Sequence, residues 1–239
     1  MLLQGKANYV KEAKELRMLE SMENLSYLDS LTSTRVLNTH LPYKWLPQSH
    51  IENGGKFIHT TRNPKDAYNS FYHKCTTSTA FGEESKGMTW SQFFDTCVIG
   101  KDTLYGTWFD YHKELELAKR TNKHIYTVHF ENLKKNPEVE IKRLAQFLNV
   151  QCTDELAADI AKKCNFHNLQ KSSNLKEFPM DQLVVGIGSD GQPKYRERPI
   201  LYRKGEVGDW KNYFTVAQNE RFDELYDKEM KGYDVKVIY

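Results

Sequence analysis

The stretch FIHTTRNPKDAYNSFYHK, residues 57–74, decides the fold class. It begins with alternating apolar and β-branched residues, which read as a strand, and the pattern stops at Arg62. Asn63-Pro64-Lys65-Asp66 then supplies a cap residue, a proline at the first helical position and an acid in the first turn. A strand that runs straight into a capped helix is the corner of an α/β fold. Two further segments have the same strand character, TRVLNTH (34–40) and HIYTVHFENL (124–133). Helical stretches separate or follow them, so the order predicts a parallel sheet covered by helices.

Outward from this corner, Asn136-Pro137 repeats the helix-start device before EVEIKRLAQFLNV, whose apolar residues recur at helical spacing. Thr89-x-x-Gln92 and Thr215-x-x-Gln218 both fit capping boxes. KANYVKEAKELRMLESM (6–22) reads as helix, and MLLQG before it as the tail of an earlier apolar element. Residues from about 173 to 210 carry Gly, Pro, Ser and charge with little periodicity, which predicts a long functional loop. No repeat or linker divides the chain, so residues 1–239 are expected to form one domain.

The bulk numbers exclude several classes. The chain has 239 residues with 34 basic against 32 acidic, so no overall field draws it to nucleic acid or a membrane surface. Any anion site must be local. Cys75, Cys97, Cys152 and Cys164 show neither CxxC pairing nor metal-like spacing with His, as expected of reduced thiols. With a mean hydropathy of −0.72, no span-length apolar run and no signal peptide, a cytoplasmic protein is expected.

Four segments could carry chemistry. Gly186-Ile-Gly188-Ser-Asp-Gly191 spells a dinucleotide fingerprint, but QPKYRERP follows where a helix must begin, so a glycine loop is the better reading. A Walker-type phosphate loop is absent, which argues against a kinase. In NTHLPYKWLP (38–47), His40 stands at the carboxyl end of a predicted strand, where a histidine can act as a general base or be an ordinary loop residue. Arg62 suits bidentate contact with an anion, with Ser70 a donor on the following helix. RKGEVGDWKNYF (203–214) packs three cations and two glycines against only Glu206 and Asp209, the composition of a loop whose backbone approaches an anion.

Taken together, THLP, RNPKDAYNSFYH, ENLKKNP and RKGEVGDWKNYFTVAQNERFD resemble the cytosolic sulfotransferases, in that family's order and over nearly the whole chain. The resemblance implies a P-loop-NTPase-like parallel sheet flanked by helices, and transfer of a sulfuryl group from 3′-phosphoadenosine 5′-phosphosulfate (PAPS) to a small hydroxyl or amine acceptor, without a metal. It implies His40 as the catalytic base, with Asn38 and Thr39 beside it in the substrate site. Arg62 and Ser70, with Arg203, Lys204 and Gly205, match the residues that hold the 3′-phosphate. Phe166 matches the aromatic that stacks on adenine, with Cys164 and Asn165 where the family often has Thr-Ser. Phe130 falls where many members have a Tyr. Lys211, Thr215, Val216 and Glu220 match the dimerisation motif, which implies a homodimer. The loop 173–202 takes the place of the lid over the acceptor pocket. Tyr43, Trp45, Phe81, Tyr105 and Tyr111 hint at a phenolic or other flat apolar acceptor, or are ordinary core.

Two departures stand out. The family's phosphosulfate loop, of the type Tyr-Pro-Lys-Ser-Gly-Thr-Thr-Trp, occurs nowhere in the 239 residues. The first, central strand is expected to be missing with it, exposing ladder groups on its neighbours. Asn38 stands where the family usually has a cation. The alternative implied is a catalytically impaired form that keeps the 3′-phosphate half-site and dimerises with a full-length subunit.

Overall fold

The computed structural model describes residues 1–9, 17–21, 28, 34–77, 85–171, 184–187, 193–195 and 202–238. The predicted strand-helix corner is present: β1 (Phe57–Thr61) runs into α2 (Pro64–Thr76), with Asn63 as the cap. A short α1 (Gln48–Glu52) precedes β1. After α2 come α3 (Trp90–Phe93), continued as a π-helical segment Phe94–Ile99, and α4 (Trp108–Thr121). The chain then returns through β2 (Ile125–His129) into α5 (Phe130–Lys135), α6 (Pro137–Leu148), α7 (Asp154–Lys163) and α8 (Phe166–Lys171). A hairpin of β3 (Val184–Ile187) and β4 (Pro193–Tyr195) follows, and α9 (Val216–Met230) ends the order.

β1 and β2 pair in parallel, Phe57 opposite Ile125 through Thr61 opposite His129. The two thus complete each other's ladder on the shared edge. The third predicted strand did not form. Residues 34–40 are extended but make only a single bridge, Asn38 to Met18, because nothing pairs along the rest of the segment among the described residues. Residues 7–9 are irregular and Leu19–Ser21 is a short 3₁₀ turn, so the described ends of the predicted 6–22 helix are not α-helical. Part of the predicted 173–210 loop is the β3–β4 hairpin, in which Gly186 pairs with Lys194. Pro193–Tyr195, just past the third glycine, is strand where the dinucleotide reading needs a helix.

Both predicted capping boxes are made: Thr89 with Gln92, and Thr215 with Gln218. A third, Thr107 with Asp110, starts α4. At Asn136 the proline holds the first helical position, but the asparagine side chain makes no cap bond. The main core lies among the helices. Phe93, Phe94, Phe109 and Phe222 are 0–1% exposed and pack with Tyr68, Val98, Phe214 and Met230 between α2, α3, α4 and α9. A smaller cluster of Ile141, Ala157 and Ile160 joins α6 to α7. Among the described residues no helix is long and apolar enough to cross a membrane.

Side chains alternate between the faces of a strand, so Phe57, His59 and Thr61 share a face with Thr127 and His129. This face, which a parallel sheet normally keeps apolar, is polar. His112 of α4 donates from Nδ1 to the Trp108 carbonyl at 2.7 Å, so its Nε2 accepts from the Thr61 hydroxyl, also at 2.7 Å. His59 lies with Nδ1 3.3 Å from the Thr127 hydroxyl. Burial, and for His59 the neighbouring His112, pushes His59 down to about 3 and His112 to about 4.

Two predictions follow from this packing. Phe109→Ala is expected to lower unfolding free energy by about 3–5 kcal/mol, read as a shift of the urea midpoint. The buried histidines bind protons less readily folded than unfolded, so stability is complete above their unfolded value near 6.5 and falls as pH drops toward their folded values. Urea midpoints measured from about pH 7.5 to about pH 5 should therefore decrease, with a shallower slope in His59→Gln.

Candidate functional site

Two groups of the expected residues take shape, one around Arg62, Arg203 and Lys204 and one around His40. The first begins at the β1–α2 corner. The Asn63 side-chain oxygen accepts the backbone N–H of Lys65 at 3.0 Å and of Asp66 at 3.4 Å. Its own N–H donates to the buried Glu131 carboxylate at 2.7 Å, tying the corner to the first turn of α5. Asp66, wholly buried, accepts the backbone N–H of Gly208 at 2.6 Å and of Trp210 at 3.0 Å. Those two bonds lay the loop 203–210 over the N-terminal turns of α2. Arg62 then donates to the Glu206 carbonyl at 2.6 Å, and its guanidinium lies 4.5 Å over the Phe130 ring. Lys65, 3% exposed, clasps the other flank through Asn219 at 2.6 Å and Asp223 at 2.5 Å on α9.

A second buried carboxylate arranges the loop's cations. Asp209 accepts from Arg203 and Lys204, each at 2.5 Å, from Asn212 at 2.8 Å and from Asn69 of α2 at 3.1 Å. Burial works against its charge, but the bonds from Lys204, Arg203 and Asn212 outweigh burial and hold its carboxyl far below the usual range. Arg62, Arg203 and Lys204 thus face Asp66 and Asp209, and the Glu131 carboxylate acts on Arg62 as well. The Arg62 Nε donor is buried with no partner, one unfilled bond aimed within this cluster. Ser70 is exposed one residue beyond Asn69. Gly205 adopts φ +66°, and a Cβ there would stand 2.2 Å from Phe166 Cδ2. The glycine is therefore needed both for its backbone and for closure onto the aromatic ring. Cys164 lies on the far side of Phe166, its Sγ 3.8 Å from the Met1 sulfur, and the Asn165 side chain caps the turn at Asn168.

The second group surrounds His40, which is exposed. Its Nδ1 lies 2.7 Å from Glu20 Oε1, and its ring is parallel to Tyr105 with centroids 6.4 Å apart and 8° between planes. Asn38 uses its backbone in the bridge to residues 17–19, and the Thr39 hydroxyl accepts the Leu41 N–H at 3.0 Å.

Of the expected acceptor aromatics, Tyr105 is the one in ring contact with His40. Burial, then the carboxylates of Glu114 and Glu20, raise the Tyr111 phenol above its ordinary range, so that ring shares the field of Glu20. Tyr43 instead packs on Phe57 and accepts from Asn122, and Trp45 is exposed. Phe81 and most of the expected lid, 173–202, lie outside the described residues. Lys211, Thr215, Val216 and Glu220 lie on the surface around the start of α9, Val216 being 76% exposed. The sequence reading missed Glu20, Asp66 and Asp209 as site residues. An acid in a first turn and an acid inside a cationic loop signal capping or solvated charge, and nothing local says they will be buried together.

The family model of the sulfotransferase domain matches residues 4–234. Sulfotransferase 1C2 of Rattus norvegicus is 34% identical over 207 residues, 85% of this chain and 64% of the relative. Sulfotransferase 1B1 of Canis lupus familiaris is 33% identical over 208 residues, 87% of this chain and 66% of the relative. The chain thus spans slightly less than two thirds of the length of these curated relatives. Among solved structures, mouse sulfotransferase SULT7A1 complexed with PAP superposes with a TM-score of 0.71 at 29% identity, over 87% of this chain and 70% of that one. Retinol dehydratase in a complex with retinol and PAP shares the fold, with a TM-score of 0.72 at 22% identity, over 91% of this chain and 60% of that one.

Gly205→Ala is expected to destabilise the chain by at least about 1–2 kcal/mol from the left-handed backbone alone, before the contact with Phe166 is relieved. Urea unfolding checks the loss, and Phe166→Ala in the same background should recover the part due to the clash.

Proposed function

The chain belongs to the sulfotransferase domain family, and from that premise we propose that it binds PAPS and transfers its sulfuryl group to a small hydroxyl or amine acceptor. The observation that carries this reading is the assembly of Arg62, Arg203 and Lys204 over the N-terminal turns of α2, with Gly205 closed on Phe166. A helix N-terminus favours an anion, and arginine and lysine add charge and directed donors. The unpartnered Arg62 Nε is one donor that an anion could fill. Arg62, Ser70, Arg203, Lys204 and Gly205 would hold the 3′-phosphate, with Phe166 against the adenine and Phe130 and Cys164 flanking them.

When bound, that co-substrate supplies the sulfuryl group and a phosphate leaving group. The chain's own residues hold the nucleotide by its phosphate and take a proton from the acceptor. His40 is exposed, so one ring nitrogen can reach an acceptor hydroxyl and remove its proton as the new bond to sulfur forms. Tyr105, parallel to that ring, offers a flat apolar wall, which suits a phenolic or other apolar acceptor. Asn38 and Thr39 stand beside His40; Asn38 can donate a hydrogen bond there but brings no charge. The exposed Val216, with Lys211, Thr215 and Glu220, supports a homodimer contact.

A second reading has its own observation. With Asn38 in place of a cation, and no phosphosulfate-loop motif in the sequence, the chain could keep the nucleotide half-site and act by pairing with a full-length subunit.

Titration with adenosine 3′,5′-bisphosphate in a calorimeter tests the nucleotide site without a guess about the acceptor. Micromolar binding is expected, weakened at least about tenfold in Arg62→Ala and in Lys204→Ala, the loss of a charge-assisted bond of about 1.5–3 kcal/mol. Absence of binding by a cooperatively folded chain would refute both readings, whereas binding without transfer to any phenol or alcohol would favour the second. Val216→Asp is expected to shift sedimentation from dimer to monomer while leaving nucleotide affinity unchanged.

A further inference from the structure

Two segments of chain meet beside His40. The Asn38 N–H donates to the Arg17 carbonyl at 2.7 Å, and the Leu19 N–H to the Asn38 carbonyl at 2.9 Å. This is a single parallel bridge that sets Met18 against Asn38. Just past the bridge the first segment turns as the 3₁₀ Leu19–Ser21, and Asn38 continues to His40. The turn sets the Glu20 carboxylate against the His40 imidazole.

The contact is closely made. Glu20 Oε1 lies 2.7 Å from His40 Nδ1 and accepts the His40 backbone N–H at 2.8 Å, and the Thr39 side chain adds a further bond to the same carboxylate. The Glu20 side chain is 11% exposed and that of His40 55%, so the carboxylate is the anchored partner and the ring is the one that reaches outward. Burial alone would raise the Glu20 carboxyl, but the bonds from the backbone, His40 and Thr39 leave it below its ordinary range, and it is an acceptor only. An Nδ1 facing such an oxygen must carry the hydrogen. In the neutral ring Nε2 is then the bare nitrogen.

We propose that Glu20 is the positioning residue of His40: it holds the ring through Nδ1–H and fixes the tautomer whose Nε2 lone pair is free to take the acceptor's proton. This rests on the reading of His40 as the base. Glu20 also stands ready to stabilise the imidazolium formed when Nε2 takes that proton, the division of labour known for aspartate–histidine pairs in serine proteases. Its second oxygen, Oε2, is buried and has no hydrogen-bond partner among the described residues. The Tyr105 ring lies parallel to that of His40, with centroids 6.4 Å apart.

The test is a long-range ¹⁵N–¹H correlation spectrum of the full chain, labelled in histidine, at about pH 8, where a free imidazole is neutral. His40→Asn assigns the signals. The expected result is a protonated Nδ1 and a bare Nε2 in the unaltered chain. Glu20→Ala should move the ring toward the Nε2–H form that free histidine favours, while Glu20→Gln, which keeps an acceptor oxygen and the volume, should retain the original tautomer. In transfer assays kcat should fall about a hundredfold in Glu20→Ala with KM unchanged, and less in Glu20→Gln. A proton on Nε2 of His40 in the unaltered chain overturns the proposal, even if Glu20→Ala fails to fold. Retention of Nδ1–H in a folded Glu20→Ala overturns it as well. An Nδ1–H form that depends on Glu20, combined with full transfer by His40→Asn, supports the hold on the tautomer and refutes only the assignment of His40 as base.

Discussion

Asp66 sits in the first turn of α2 with no exposed surface and spends both carboxylate oxygens on the backbone N–H groups of Gly208 and Trp210. Those groups belong to a loop more than a hundred residues away in sequence, and two bonds to one buried carboxylate fix both its position and its direction. An ion buried this way is destabilising unless its lone pairs are satisfied, so the loop and the helix need each other. Once Gly208 and Trp210 are held, Glu206 falls where Arg62 can donate to its carbonyl, and Asp209 falls where Asn69 can reach it. The cations of the loop are then delivered to the end of β1.

Asp209 handles the electrostatic problem this creates. Three cations close together repel one another, and a loop carrying them would swing into water if nothing held it. A single buried carboxylate bonded to Arg203 and Lys204 cancels part of the repulsion and pins both side chains in place. The proposed anion site is thereby organised in advance, so little ordering would remain to oppose binding. Glu20 does a comparable thing for His40 with a different charge balance. One carboxylate holds one imidazole by its inner nitrogen, and the outer one is left to solvent or substrate.

Much of this was legible from local sequence. The corner at Asn63-Pro64, the two capping boxes and strands β1 and β2 are short-range phenomena, in which the residues that make the signal also make the structure. The failures have a common cause. The β-branched run 34–40 has strand propensity but gains only one bridge, because a strand exists only where a partner offers its edge. The glycine-rich stretch near 186 was read as a loop, yet part of it pairs in a hairpin for the converse reason. Asn136 has the right identity for a cap, but its backbone does not bring the side chain to the helix N–H groups.

The sequence by itself determined the α/β class, the helix starts and which residues are proposed to bind an anion or move a proton, since these readings depend on side-chain chemistry and on neighbours within about four positions. The tertiary structure alone decided which charges are buried and what each one faces. Asp66, Asp209 and Glu20 look like ordinary surface acids in the sequence. They become organising groups because folding removes water from them and sets N–H groups, a guanidinium, an ammonium and an imidazole against them instead.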